Sequence, residues 1–208
     1  MRLVILSDTH GKHHELQLPE GDILIHCGDI TEGGSKREII DFLNWFSSLP
    51  HTHKIFIGGN HDFELEKLPN KKIQDLIPEN ITYLQDSGIT IKSYRFWGSA
   101  YTPGEANWAF HKDRGKQIKK TWDKIPNSTD VLITHTPPYS ILDEINNNIH
   151  IGCEELLKNV INIKPKIHCF GHSHNEYGQV KLGDTNYINS AILDNRMRVM
   201  NPVFSIEI

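Results

Sequence analysis

The chain has 208 residues, 38% of them hydrophobic, and a formal net charge of −4, which suits a single domain over 1–208 with a sizeable core. The near-balance of charge gives no reason to expect a general nucleic-acid binder, which usually shows a basic stripe, and no apolar run approaches the ~18 residues of a membrane span. Cys27, Cys153 and Cys169 are too few and too scattered for a disulfide framework; with no secretory leader in the opening run, the expectation is a cytoplasmic protein with reduced thiols.

Short apolar runs recur along the chain: "LVIL" at 3–6, "DILIH" at 22–26, "KIFIG" at 54–58, "VLIT" at 131–134 and "KIHCF" at 166–170. Nearly continuous runs of this length predict strands buried on both faces. Between them, 36–49 predicts a helix with Ile39, Ile40, Leu43, Phe46 and Leu49 on one face. Ser35 is placed as its N-cap, with Glu38 as capping-box partner. Segments 112–125 and 153–163 also read as helices. "QVKLGDTNYINS" predicts two strands joined at Gly183-Asp184, and "NPVFSIEI" a last strand. Strands alternating with helices predict an α/β fold, and the C-terminal hairpin a sheet that is not purely parallel.

Polar clusters follow the five runs. Asp8 and His10 follow the first, Asp29 the second, Asn60 and His61 the third, His135 the fourth, and His172 and His174 the fifth. Ligands of open α/β sheets bind beyond the carboxyl ends of the strands, so five strands would deliver Asp, Asn and His side chains to one rim. In extended chain, positions i and i+2 share a side, which would aim Asp8 with His10 and His172 with His174. Seven such side chains exceed the four of a closed zinc site, and their mix of imidazole and oxygen suits Zn, Fe, Mn, Co or Ni better than calcium. Two cations ~4 Å apart, sharing a carboxylate, would use the set for in-line displacement at phosphorus.

The ordered set D-x-H, G-D, G-N-H-D/E, H and G-H-x-H resembles the calcineurin-like metallophosphoesterases. "PEGDILIHCGDIT", "KIFIGGNHD", "GSAYTP", "DVLITHTPP", "FGHSHNEYG" and "NYINSA" extend the resemblance over nearly the whole chain, to the metallophosphoesterase-domain-containing, class III phosphodiesterase-like subfamily. The resemblance implies a four-layer α/β/β/α sandwich of two mixed β-sheets flanked by helices. It implies two divalent metals, with Mn in first place and Fe, Zn, Mg, Ni or Co as alternatives. Asp8, His10, Asp29 and His174 would hold one; Asp29, Asn60, His135 and His172 would hold the other, with Asp29 bridging. His61 would face the scissile phosphate as the catalytic residue, and a water or hydroxide bridging the metals would be the nucleophile. Asp62, where close relatives often have Glu, is not a ligand in this pattern.

Around that centre, Trp108 and Tyr139 are placed with Asn60 and His61 as substrate-binding residues, because loop aromatics can stack on a nucleobase. The function expected is hydrolysis of small phosphodiesters or nucleotides, with no general nucleic-acid or membrane partner. The alternative is a nucleotide-binding or scaffolding protein of low activity. A metal-dependent amide hydrolase is disfavoured, since the usual barrel hosts need about 250 residues. His26 and His168 are expected to be packed or hydrogen-bonded within strands, His51 and His53 to be exposed. His13, His14, His111 and Arg114 receive no role.

Overall fold

The computed structural model describes residues 1–208 apart from 105 and 147, and apart from the side chains of 70, 71 and 74. The first large sheet contains β1 (Arg2–Leu6), β2 (Ile23–His26), β3 (His53–Phe56) and β4 (Thr82–Tyr83), all parallel. The second contains β5 (Ser87–Ile91), β6 (Tyr94–Ser99), β9 (Val131–Thr134), β12 (Ile167–Phe170), β13 (Gly178–Leu182) and β14 (Thr185–Asn189). Two-residue strands β7 (Thr102–Pro103), β8 (His111–Lys112), β10 (Glu144–Ile145) and β11 (Ile149–His150) form small side ribbons. The last strand, β15 (Phe204–Glu207), returns to pair antiparallel with β1 and closes one edge of the first sheet. β5 and β13 are the antiparallel edges of the second sheet, so both sheets are mixed.

Three apolar layers account for the stacking. Leu3, Ile5, Ile23, Ile25 and Ile55 of the first sheet meet Phe96, Val131, Ile133, Ile167 and Ile188 of the second, forming the inter-sheet core. The alternate residues Val4, Leu6, Leu24 and Phe56 face α1 (Lys36–Ser48) on the outer side. Helices α2 (Phe63–Lys67) and α3 (Asn70–Leu76) flank the same layer through Leu65 and Ile73. On the far side, Leu132, Phe170 and Tyr187 pack against Ile118 and Trp122 of α4 (Lys116–Trp122) and Leu156 and Val160 of α5 (Glu154–Ile163). The order is helix, sheet, sheet, helix. Period-2 alternation with both faces covered explains why the strands read as continuous apolar runs.

Helix α1 starts at Ser35 as expected, with its full capping box to Glu38. Its buried face is rotated from the expected one. Ile39, Phe42, Leu43 and Phe46 are buried, at spacings of three and four, whereas Ile40 is 39% exposed. Phe42 wins because its ring stacks on Phe46 and meets Phe56 and His26. Burying it fully contributes about 1.5–3 kcal/mol. The helices expected over 112–125 and 153–163 are present as the shorter α4 and as α5. All three cysteines are free and buried. Among the described residues no helix is long and apolar enough to cross a membrane.

Candidate metal centre

The carboxyl ends of β1, β2, β3, β9 and β12 meet along one rim, because β1–β2–β3 run parallel in one sheet and β9–β12 run parallel in the other. Each strand ends in a tight turn that throws a polar side chain over that rim. Four of the turn residues, Asp8 (φ 55°), His10 (φ 43°), Asp29 (φ 54°) and His172 (φ 68°), adopt left-handed backbone. Each such residue costs on the order of 1–3 kcal/mol, and such strain gathers at functional sites. The pairs at i and i+2 are therefore not extended, and side-sharing along a strand does not explain them. Tight turns bring Asp8 and His10 together, and send His172 and His174 to different neighbours.

The seven expected ligands form two clusters joined by Asp29. In the first, Asp8, His10 and His174 present donor atoms to one another, with His174 Nε2 3.4 Å from Asp8 Oδ1. In the second, Asp29, His135 and His172 do the same. Asn60 joins the second through Oδ1, 2.9 Å from His135 Nε2. One oxygen of Asp29, Oδ2, lies 3.6 Å from His10 Nε2 and 3.3 Å from His135 Nε2. Ligands ~2.0–2.2 Å from a shared cation stand ~3.0–3.5 Å apart in tetrahedral or octahedral arrangements, and the Asp8–His174 and Asp29–His135 separations fall in that range.

The proton positions make the same point. His135 Nδ1 lies 2.9 Å from the Cys27 carbonyl, and His174 Nδ1 lies 3.2 Å from the Asp194 carbonyl. A carbonyl only accepts, so both Nδ1 atoms carry the hydrogen and both Nε2 lone pairs face carboxylates. Electron-rich atoms this close require a positive charge between them, either a proton on each imidazole or a metal cation. His10 has both ring nitrogens buried without a hydrogen-bond partner. A buried histidine with two unpaired nitrogens, 3.6 Å from Asp29 and from Glu32, suits a metal ligand.

Without a cation, protons take its place. His135 and His174 are each pushed up to about 9; burial opposes their charge, but Asp29 and Asp8 outweigh it. Asp8 and Asp29 are held below the usual carboxylate range, because histidine contacts overcome the opposing effect of burial. Metal binding needs neutral imidazoles. Uptake at around pH 7.5 should therefore release about two protons from these groups, and the release should fade as pH rises past about 9. Titration of Mn²⁺ into metal-stripped protein in weak buffer with a pH indicator checks this; uptake without proton release would contradict the assignment.

Second-layer contacts hold the two ligand-bearing turns in place. The Asp8 carboxylate accepts from the His172 backbone N–H at 3.0 and 3.1 Å, tying the first strand end to the last. Gly171 is required there: a Cβ would overlap the Asp8 carboxylate and Ser7 Oγ. His26 and His168 behave as expected of strand histidines, hydrogen-bonded to Thr9 and Thr134 beside the ligands at 3.0 and 2.8 Å.

Asp62 is the residue that motif reasoning passed over. It is fully buried and accepts from Gly59 N–H (2.8 Å), Thr31 N–H (3.0 Å), Ile30 N–H (3.3 Å) and Thr31 Oγ1 (2.7 Å). One carboxylate thus clamps the turn carrying Asp29 to the turn carrying Asn60. Asp62→Ala strips all four bonds and leaves buried donors unpaired, and should cost about 2–4 kcal/mol in chemical denaturation together with metal affinity. An unchanged denaturation midpoint would contradict the clamp.

His61 sits beside both clusters. Its backbone N–H donates to Asp29 Oδ1 at 2.8 Å, and its ring lies 4.5 Å from that of His10. Trp108, 37% exposed, places its ring 4.6 Å from His61. Tyr139 instead meets His150 at 5.3 Å. Arg114 is occupied by the Ile151 and Gly152 carbonyls and by Glu154, where it fixes the start of α5. His51, expected at the surface, is buried against the Pro19 carbonyl. His13 and His14 meet Asp41 of α1 rather than the ligand clusters.

Comparison with known proteins gives the family and the fold. A human protein, metallophosphoesterase domain-containing protein 1, is 37% identical over 230 residues, spanning 100% of this chain and 71% of its own length. A UPF0046 protein of Caenorhabditis elegans is 39% identical over 92% of this chain and 69% of its own. The solved phosphopantetheinyl hydrolase of Mycobacterium tuberculosis shares the fold, with a TM-score of 0.64 at 13% identity over 94% of this chain and 90% of that one. The profile of the calcineurin-like phosphoesterases matches residues 1–176, and the chain belongs to that family of metal-dependent phosphoester hydrolases.

Proposed function

We propose that the protein is a two-metal phosphodiesterase acting on small phosphodiesters or nucleotides. The observation that carries this reading is Asp29, a single carboxylate oxygen standing between His10 and His135 at the junction of two ligand clusters. Asp8, His10, Asp29 and His174 would hold one divalent cation; Asp29, Asn60, His135 and His172 would hold the other. Bound there, the pair supplies Lewis-acid charge at the phosphoryl oxygens and a nucleophile from water at neutral pH. Mn²⁺ is the cation we assign, with Fe, Zn, Mg, Ni and Co compatible with the same donors.

The chain's own residues do the rest. His61 Nδ1 lies 2.9 Å from the Glu32 carbonyl, so Nδ1–H donates there; the imidazolium form would carry its second proton on Nε2 and hand it to the departing oxygen. The Asp29–His61 backbone bond keeps that imidazole in register with the ligands. Trp108, half-open over His61, offers a face on which a nucleobase can stack.

A diester preference follows from charge. Among the described residues, no lysine or arginine pairs with Asp8, Asp29 or Asp62, and Arg114 is tied elsewhere. A monoester brings a second negative charge that no lysine or arginine of the site would meet, which would leave it to the two cations alone. With Mn²⁺, kcat/KM for bis-p-nitrophenyl phosphate should exceed that for p-nitrophenyl phosphate by at least about tenfold. The reverse ratio would overturn the diester assignment.

A further inference from the structure

We propose that His13, His14 and Asp41 form a separate site for a divalent cation of the zinc class, against the outer face of α1. His13 and His14 are consecutive in a 3-10 turn, His13–Glu15. At three residues per turn, neighbours there diverge by about 120°. Yet both Nε2 atoms stand 3.1 Å from the same oxygen, Oδ2 of Asp41. The three donor atoms all lie within 4.8 Å of one another. The His–Asp separations fall in the ~3.0–3.5 Å expected of ligands ~2.1 Å from one cation.

The arrangement is built on rigid parts. His13 is 1% exposed, with its ring between Phe42 (5.6 Å) and Trp45 (4.9 Å). Asp41 stands on α1, whose start is fixed by the Ser35–Glu38 capping box. Lys12, beside His13 in sequence, is drawn away to the Met197 carbonyl, and among the described residues no ion pair joins Arg37 of α1 to Asp41. Burial and the neighbouring His14 hold His13 down to about 4, so its ring is neutral at physiological pH, the form that binds metal. His14 and Asp41 are more than half exposed, which leaves the outer coordination positions to water. Two imidazoles and one carboxylate with open positions suit Zn²⁺ and its first-row neighbours rather than calcium or magnesium.

Zn²⁺ binding to the full chain, counted by equilibrium dialysis, tests this. His14→Ala and Asp41→Asn alter exposed side chains, and each should bind one Zn²⁺ fewer than the wild-type protein. The His13 ring nitrogen resonance should move on adding Zn²⁺, both in the wild type and in Asp29→Asn, where the other centre is damaged. An equal Zn²⁺ count in all three proteins, with a His13 resonance that does not move, would overturn the site and leave two histidines hydrogen-bonded to a carboxylate. Because the reporter is His13 itself, the result does not depend on the Asp29 centre.

Discussion

Replacing Asp29 with Asn should abolish phosphodiester turnover by at least ~10³-fold, since the cations contribute several kcal/mol to the transition state. The amide keeps the size and one oxygen of the carboxylate but removes the charge both clusters share. The backbone N–H of His61 also loses its anionic acceptor. Metal content should fall, because His10 and His135 then face a neutral neighbour. The fold should survive: the inter-sheet core is formed by apolar residues of both sheets, from Leu3 and Ile23 to Phe96, Val131 and Ile188, and does not use Asp29. Circular dichroism and metal analysis on the same sample separate the two effects. Full activity with reduced metal content would contradict the bridging role.

His61→Ala should behave differently. Its ring nitrogen is assigned to the leaving oxygen, so turnover should fall by about 10²–10⁴-fold while both metals remain bound. The loss should depend on the leaving group. p-Nitrophenolate departs without much help from a proton, whereas a ribose or alkyl oxygen needs one. The defect should therefore be largest for an alkyl or nucleoside diester and smallest for bis-p-nitrophenyl phosphate. A uniform loss across leaving groups would place His61 in binding or metal retention instead, a role its closeness to His10 and Asp29 also allows.

Much of this centre was legible before any coordinates, because its signals are local. A buried strand followed by a turn with Asp or His needs only a few residues to be recognised, and five such units occur in order. The details that were not legible depend on distant segments meeting. Asp62 looks like one more polar turn residue until Thr31 arrives from another loop to bond it. The left-handed turns at Asp8, His10 and His172 defeat an argument built on extended chain. The phase of α1 is not readable from sequence because Ile40 and Phe42 are both apolar, and only Phe46, Phe56 and His26 decide which goes in. The β5–β6 hairpin leaves little trace in the sequence, because an edge strand with alternate exposed positions, Ser87–Ile91, carries a weak apolar signal. Trp108 lies beside His61, whereas Tyr139 lies beside His150 of β11, and neither neighbour is readable from a loop aromatic alone.

The most direct measurement is hydrolysis of bis-p-nitrophenyl phosphate by metal-stripped protein as Mn²⁺ is added back, with bound Mn²⁺ counted at each step. Turnover that is absent at the start and rises with the second bound equivalent is the result a two-metal phosphodiesterase predicts. A folded protein that turns over as fast without metal, or that fills both clusters and stays inactive on every diester, would contradict it.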